Sequence, residues 1–210
     1  MTVAAIAPHE RISAAIRRAC GRNPALVAFL TAGFPRRELF RTQLSAVAGV
    51  ADVVEIGVPF TDPMADGLTI QRSSREALAQ GVTLRWILDE LAAMQAVNAP
   101  LLLMSYLNPL LAFGFAELAM AAEHARVAGF IVPDLPIEES DEFRAALEAR
   151  GLALIQLVTP TTSPDRLKML CAASRGFVYA VTSTGITGGG KELPAGVGSL
   201  NPSRTSATNT

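Results

Sequence analysis

A glutamate stands in the middle of an otherwise apolar run, Val53-Val54-Glu55-Ile56-Gly57-Val58, and two aspartates follow at Asp62 and Asp66 in the turn-forming stretch from Pro59 to Gly67. A carboxyl group held in apolar surroundings has its pKa pushed toward neutrality, where one group can give a proton and take one back in the same cycle. The plainer alternative for Glu55 is an ion pair with a neighbouring arginine and no chemistry at all. Asp66, further along the loop, suits a fixed carboxylate that stabilises positive charge as it forms on a reacting molecule. Asp62 precedes Pro63, a pairing that shapes a turn as readily as it serves catalysis. His9, His124, Cys20 and Cys171 are too scattered to form a metal-ligand or nucleophile pattern, and a structural role is expected for both histidines.

These carboxylates need a scaffold, and the sequence alternates short apolar runs with longer helical patterns. Strands are expected at 26–31, 53–58, 101–106, 130–132, 153–158 and 177–181. Each is nearly continuous in apolar residues, as strands of a parallel sheet covered on both faces are. Helices are expected at 10–19, 38–47, 70–79, 84–97, 115–127, 141–149 and 164–172, which leaves one extra helix after the second strand. Thr83 and Ser163 read as N-caps, Pro164 as a first helical residue, and Gly129, Gly151 and Gly176 as left-handed residues closing helices. Thr31, Glu55, Tyr106, Asn108, Asp134, Thr159, Thr182 and Ser183 fall at or just beyond strand C-termini, where (β/α) barrels keep their chemistry. The turn Thr31-Ala32-Gly33-Phe34-Pro35 lacks a dinucleotide fingerprint. Gly185 to Lys191 matches a phosphate-loop spacing, but Glu192 stands where a hydroxyl must meet Mg²⁺, which argues against nucleotide binding.

Several of these segments together resemble the tryptophan synthase α chain family. The resemblance rests on Val54 through Gly67, Phe29 to Gly33, Tyr106-Leu107-Asn108-Pro109, Val132-Pro133-Asp134-Leu135-Pro136 and Tyr179 through Gly188, within about residues 9 to 198. It implies a TIM-type (β/α)8 barrel and cleavage of indole-3-glycerol phosphate to indole and glyceraldehyde 3-phosphate. It also implies a β chain, in an α2β2 assembly, that receives the indole and alone carries pyridoxal phosphate. By the same resemblance Glu55 is the acid/base and Asp66 the partner of the indole nitrogen. Phe29, Met104, Tyr106, Ile131, Leu157 and Tyr179 then line the indole slot, and Thr187 and Gly188 belong to a loop that closes over it. The β chain is expected at Pro59, Asp62, Asn108, Pro109 and Leu110.

With 210 residues, half of them hydrophobic, and a formal net charge of −1, the chain has enough apolar material for one sizeable domain. No basic stripe points to nucleic acid, and no apolar run approaches the roughly 20 residues of a membrane-spanning helix. A cytoplasmic protein without metal or cofactor is expected. Only six strands are found, so the expected domain, 1–198, is an incomplete barrel, followed by a polar tail at 199–210 with almost no apolar residues. Unpaired first and sixth strands, an incomplete phosphate site and impaired turnover are expected in consequence. A docking subunit without turnover and a product with no function are the alternatives.

Overall fold

The computed structural model describes residues 6–20 and 24–181. Within them lie six strands, β1 (Val27–Thr31), β2 (Val53–Gly57), β3 (Leu101–Met104), β4 (Val127–Ile131), β5 (Ala153–Val158) and β6 (Val178–Ala180). All neighbours run parallel, and their order across the sheet is β1-β2-β3-β4-β5-β6. Each crossover therefore steps the same way. A doubly wound sheet would reverse its order at a switch point, so the sequential order is that of a barrel wall, as expected. Among the described residues β1 and β6 are the two edges.

Eight α-helices accompany the sheet: α1 (Pro8–Cys20), α2 (Phe40–Ala48), α3 (Leu68–Ala79), α4 (Leu84–Ala93), α5 (Leu107–Phe113), α6 (Phe115–His124), α7 (Asp141–Glu148) and α8 (Pro164–Ala173). Side chains alternate across a strand, and here both faces find apolar cover. Val54, Ile56, Leu101, Leu103, Phe130 and Leu154 pack outward against Phe40, Leu44, Ile87, Leu91, Leu118 and Phe143 of the helices. Val53, Leu102, Ile131, Ala153 and Ile155 face the other way and pack with Ile12 and Ala15 of α1, which stops the concave side. This double burial is why the strands read as unbroken apolar runs rather than alternating ones.

Thr83 accepts from the Trp86 amide at 3.2 Å and Ser163 from the Arg166 amide at 3.4 Å, so both expected N-caps are present. Gly151 and Gly176 take the left-handed φ expected of them, +66° and +95°. Gly129 does not. The helix before it ends at His124 and β4 starts at Val127, three residues earlier than the sequence reading had it. Arg126 makes the left-handed turn instead, at φ +59°, and its guanidinium donates to the carbonyls of Leu91, Ala92 and Met94 at the end of α4. That tie also closes α4 at Ala93, short of the expected Val97. Gly129 is a glycine for a different reason. A Cβ on it would lie 2.6 Å from both the Cβ and the carbonyl oxygen of Ala153 on the adjacent strand.

Helix α5 was not expected, because Asn108-Pro109 reads as a turn. Pro109 instead occupies the first helical turn, where a missing N–H costs no intrahelical bond. The expected tail and the glycine-rich stretch after Ser183 lie outside the described residues.

The strand contact at Gly129 is checked by substitution. Gly129→Ala is expected to lower stability by about 1–3 kcal/mol, the usual cost of overpacking, because the clashing atoms include backbone that cannot rotate away. Urea unfolding that matches the parent would show that β4 and β5 do not approach so closely.

Candidate active site

Glu55 lies in β2, paired with Phe29 of β1 on one side and Leu102 of β3 on the other. Its parity is that of Val53, so it faces the concave side above the plug formed by α1. The residue is 4% exposed, and burial alone pushes its carboxyl up to about 7 from an ordinary 4.5. Among the described residues neither an ion pair nor a hydrogen bond reaches the carboxyl, so none of their arginines offsets the burial. Tyr179 of β6 is the group that feels Glu55. Burial first, then the negative charge of Glu55, holds its hydroxyl above the usual tyrosine range.

One rung higher, Thr31, Gly57, Met104, Ile131 and Ile155 stand side by side across five strands, and Leu157 pairs with Tyr179 beyond them. The Phe29 ring lies over Gly57, where a Cβ would meet its Cζ at 2.5 Å. The expected slot residues Phe29, Met104, Ile131, Leu157 and Tyr179 thus share the concave face. Thr187 and Gly188 lie outside the described residues.

The chain leaves β2 through a loop that turns back over this face. The Ala65 amide donates to the Tyr106 hydroxyl at 2.9 Å, and Phe60 stacks on the Tyr106 ring with centroids 5.2 Å apart. Asp66 is thereby turned inward. Burial raises its carboxyl, and a hydrogen bond from Tyr106 partly opposes that rise. A small pocket brings Phe29, Gly57, Asp66, Met104 and Tyr106 to one surface. Ser105 and Pro133 line it too. The sequence reading missed both of these and the need for glycine at 57; a glycine inside a strand, the usual mark of a close approach, was the one available signal. Asp62 points to solvent and accepts from the Thr61 hydroxyl at 2.6 Å, the turn-shaping role rather than the catalytic one. His9 hydrogen-bonds through Nδ1 to the Gly151 carbonyl, a structural role.

At the rim the expected partner surface needs correction. Pro59 is buried and Leu110 is 0% exposed, because Leu110 is on the inner face of the unforeseen helix α5. The exposed apolar residues there are Met64 at 93%, Leu68 at 76% and Leu111 at 52%.

Taken as chemistry, the arrangement offers a carboxyl able to exchange a proton near neutrality, an apolar slot beside it and a second carboxyl on a loop above. Residues 17–204 match the family model described as tryptophan synthase alpha chain. The chain belongs to the tryptophan synthase alpha chain family. It is 50% identical over 182 residues to the tryptophan synthase alpha chain of Nitratidesulfovibrio vulgaris (strain DP4), covering 86% of this chain and 70% of that one. The alpha chain of Desulfovibrio desulfuricans is 51% identical over 181 residues, covering 85% and 70%. Among solved structures, tryptophan synthase subunit alpha from Legionella pneumophila str. Paris matches with a TM-score of 0.77 at 34% identity, over 84% of this chain and 68% of that one. A tryptophan synthase chain from Mycobacterium tuberculosis matches with a TM-score of 0.80 at 35% identity, over 85% and 70%. In this tryptophan synthase alpha chain family member the whole run from Glu55 to Asp66 is described, so the two carboxyls can be tested directly.

Burial of Glu55 has a stability signature. A carboxyl whose folded pKa is raised favours the folded state fully below the unfolded pKa, and that contribution is lost as pH rises through the folded value. Between about pH 4.5 and pH 8 the parent should therefore lose on the order of 3 kcal/mol through this one group. Glu55→Gln, which cannot ionise, should be more stable than the parent at pH 8 and gain nothing at pH 4.5. Equal differences at the two pH values in urea unfolding would mean that Glu55 is not held in dry surroundings.

Proposed function

We propose that this chain is a lyase that cleaves indole-3-glycerol phosphate to indole and glyceraldehyde 3-phosphate. Family membership supports a role in tryptophan biosynthesis. The observation that carries the finer reading is the Glu55 carboxyl, buried without a partner among the described residues and pushed up to about 7 on the concave face. Protonated Glu55 delivers its proton to the indole ring carbon that bears the glycerol chain. Positive charge develops on the ring nitrogen as the ring loses its aromatic form, and the Asp66 carboxylate above the slot stabilises it. The bond from ring carbon to side chain then breaks. Its electrons restore the aromatic ring, while the hydroxyl on the departing carbon gives its proton to the now ionised Glu55 and becomes the aldehyde. Phe29, Met104, Tyr106, Ile131, Leu157 and Tyr179 hold the flat ring, and Thr187 with Gly188 close the site.

The partner in this reading is a tryptophan synthase β chain, as α2β2, with pyridoxal phosphate in that partner and none in this chain. The exposed apolar rim at Met64, Leu68 and Leu111, around the site's mouth, supports docking there. The reading sets the reaction in the cytoplasm; no helix among the described residues is long and apolar enough to cross a membrane. A docking subunit without turnover is the second reading, and the exposed apolar rim at Met64, Leu68 and Leu111 supports it equally.

Free indole released from indole-3-glycerol phosphate, with and without a β chain, separates these readings. Release is expected, nearly abolished by Glu55→Gln and lowered about 10²-fold or more by Asp66→Asn, the usual effect of losing one preorganised electrostatic contact. Substantial release from the Glu55→Gln protein would refute the acid/base assignment. A stable complex with the β chain and no release would leave the docking reading, and neither would leave a product without function.

The docking surface has its own measurement. Met64→Asp combined with Leu111→Asp is expected to weaken β-chain binding at least tenfold, as losing buried apolar anchors does. Amide exchange with the β chain bound should show protection at the loop after β2 and at α5. Protection confined to the α1 end of the strands would put the partner elsewhere.

A further inference from the structure

Three successive loops at the mouth are tied in series. Asp134, in the loop after β4, accepts from the Leu107 amide at 2.9 Å, and so fixes the chain where it turns from β3 into α5. Tyr106 is the residue just before that amide. Its ring is 9% exposed and stacked on Phe60, which leaves the hydroxyl little freedom. That hydroxyl accepts from the Ala65 amide at 2.9 Å and lies near enough to the Asp66 carboxyl to lower its titration. The other bonds of this loop are local. The Met64 amide meets the Asp62 carbonyl, the Asp66 amide the Pro63 carbonyl, and Gln71 of α3 the Asp66 carbonyl. Among the described residues, no other hydrogen bond to residues 60–66 comes from outside the loop and α3.

We propose that Tyr106 is a positioning residue for Asp66, holding the loop after β2 by its hydroxyl, and that Asp134 braces Tyr106 from the loop after β4. The inference rests on the reading of Asp66 as a group that faces the reacting ring. Tyr106 then has two separable parts. The ring walls the slot, and the oxygen sets where Asp66 stands. Without the oxygen the Ala65 amide loses its acceptor and the Asp66 carboxylate loses a donor, while the apolar wall and the Phe60 contact remain.

The full chain carrying Tyr106→Phe tests this without relying on turnover. Ala65 amide exchange should speed up at least about tenfold, as for a segment whose anchoring bond is gone. The Asp66 carboxyl, followed by carbon NMR, should titrate at higher pH once the donor that lowers it is removed. Asp134→Ala should move both readouts the same way by less, and Asp134→Asn, which keeps the accepting oxygen, should restore them. In indole-release assays Tyr106→Phe should lower kcat about 10- to 100-fold with KM little changed, the pattern of a misplaced transition-state contact. Unmoved Ala65 exchange and unmoved Asp66 titration in a Tyr106→Phe protein whose β2 and β3 amides stay protected would overturn the proposal. Asp134→Asn as damaging as Asp134→Ala would overturn the brace. A parent that releases no indole while both readouts respond would sink the lyase reading and leave this inference standing.

Discussion

The desolvation of one carboxyl organises this molecule. Glu55 sits in a strand whose two faces are both covered, by helices outside and by α1 with the neighbouring strands inside. Ionising a group in such a place costs on the order of 3 kcal/mol, a sizeable part of a domain's net stability, so the group answers by shifting its titration instead. That response depends on the sheet remaining parallel, sequential and dry beneath the mouth. The apolar face formed by Leu102, Ile131, Ala153 and Ile155 is therefore part of the carboxyl's surroundings as well as of the core.

The mouth follows a different logic from the wall. Strand residues are positioned by register and by packing that many neighbours share, whereas the loop after β2 depends on a few directional bonds. The segment before Asp66 is held by the Tyr106 hydroxyl, from the loop after β3, on the Ala65 amide and by a short turn around Pro63. Side chains on a rigid wall and on a tethered loop differ in how they fail. The first loses its function with the fold, the second through a bond that leaves the fold intact.

Much of this was legible in the residues themselves. Continuous apolar runs announced a doubly covered parallel sheet, and the polar residues at strand ends lie where Asp66 and Tyr106 line a pocket. The caps at Thr83 and Ser163 and the turns at Gly151 and Gly176 are local chemistry, and local chemistry reads well from sequence. The failures have one cause. Gly129 looks like a helix stop, but its reason lies in Ala153, far along the chain. Arg126 takes the left-handed turn that glycine was expected to supply because its guanidinium finds three carbonyls at the end of another helix. Asn108-Pro109 has turn-forming residue types, yet proline at the start of a helix offends nothing. Burying Leu110 rather than exposing it followed from that missed helix. No window along the sequence contains the partner in any of these cases.

The contact between Phe29 and Gly57 bears on how this site can change over generations. Phe29 is 38% exposed and by that measure should vary freely, yet its ring occupies the space that any side chain at 57 would need. The two positions constrain each other although they lie on different strands. A lineage that loses the glycine recovers by shrinking residue 29, and one that enlarges residue 29 has nowhere to put it. Second-site suppressors of damage at Gly57 should accordingly map to Phe29, and the width of the slot can drift only when both change together.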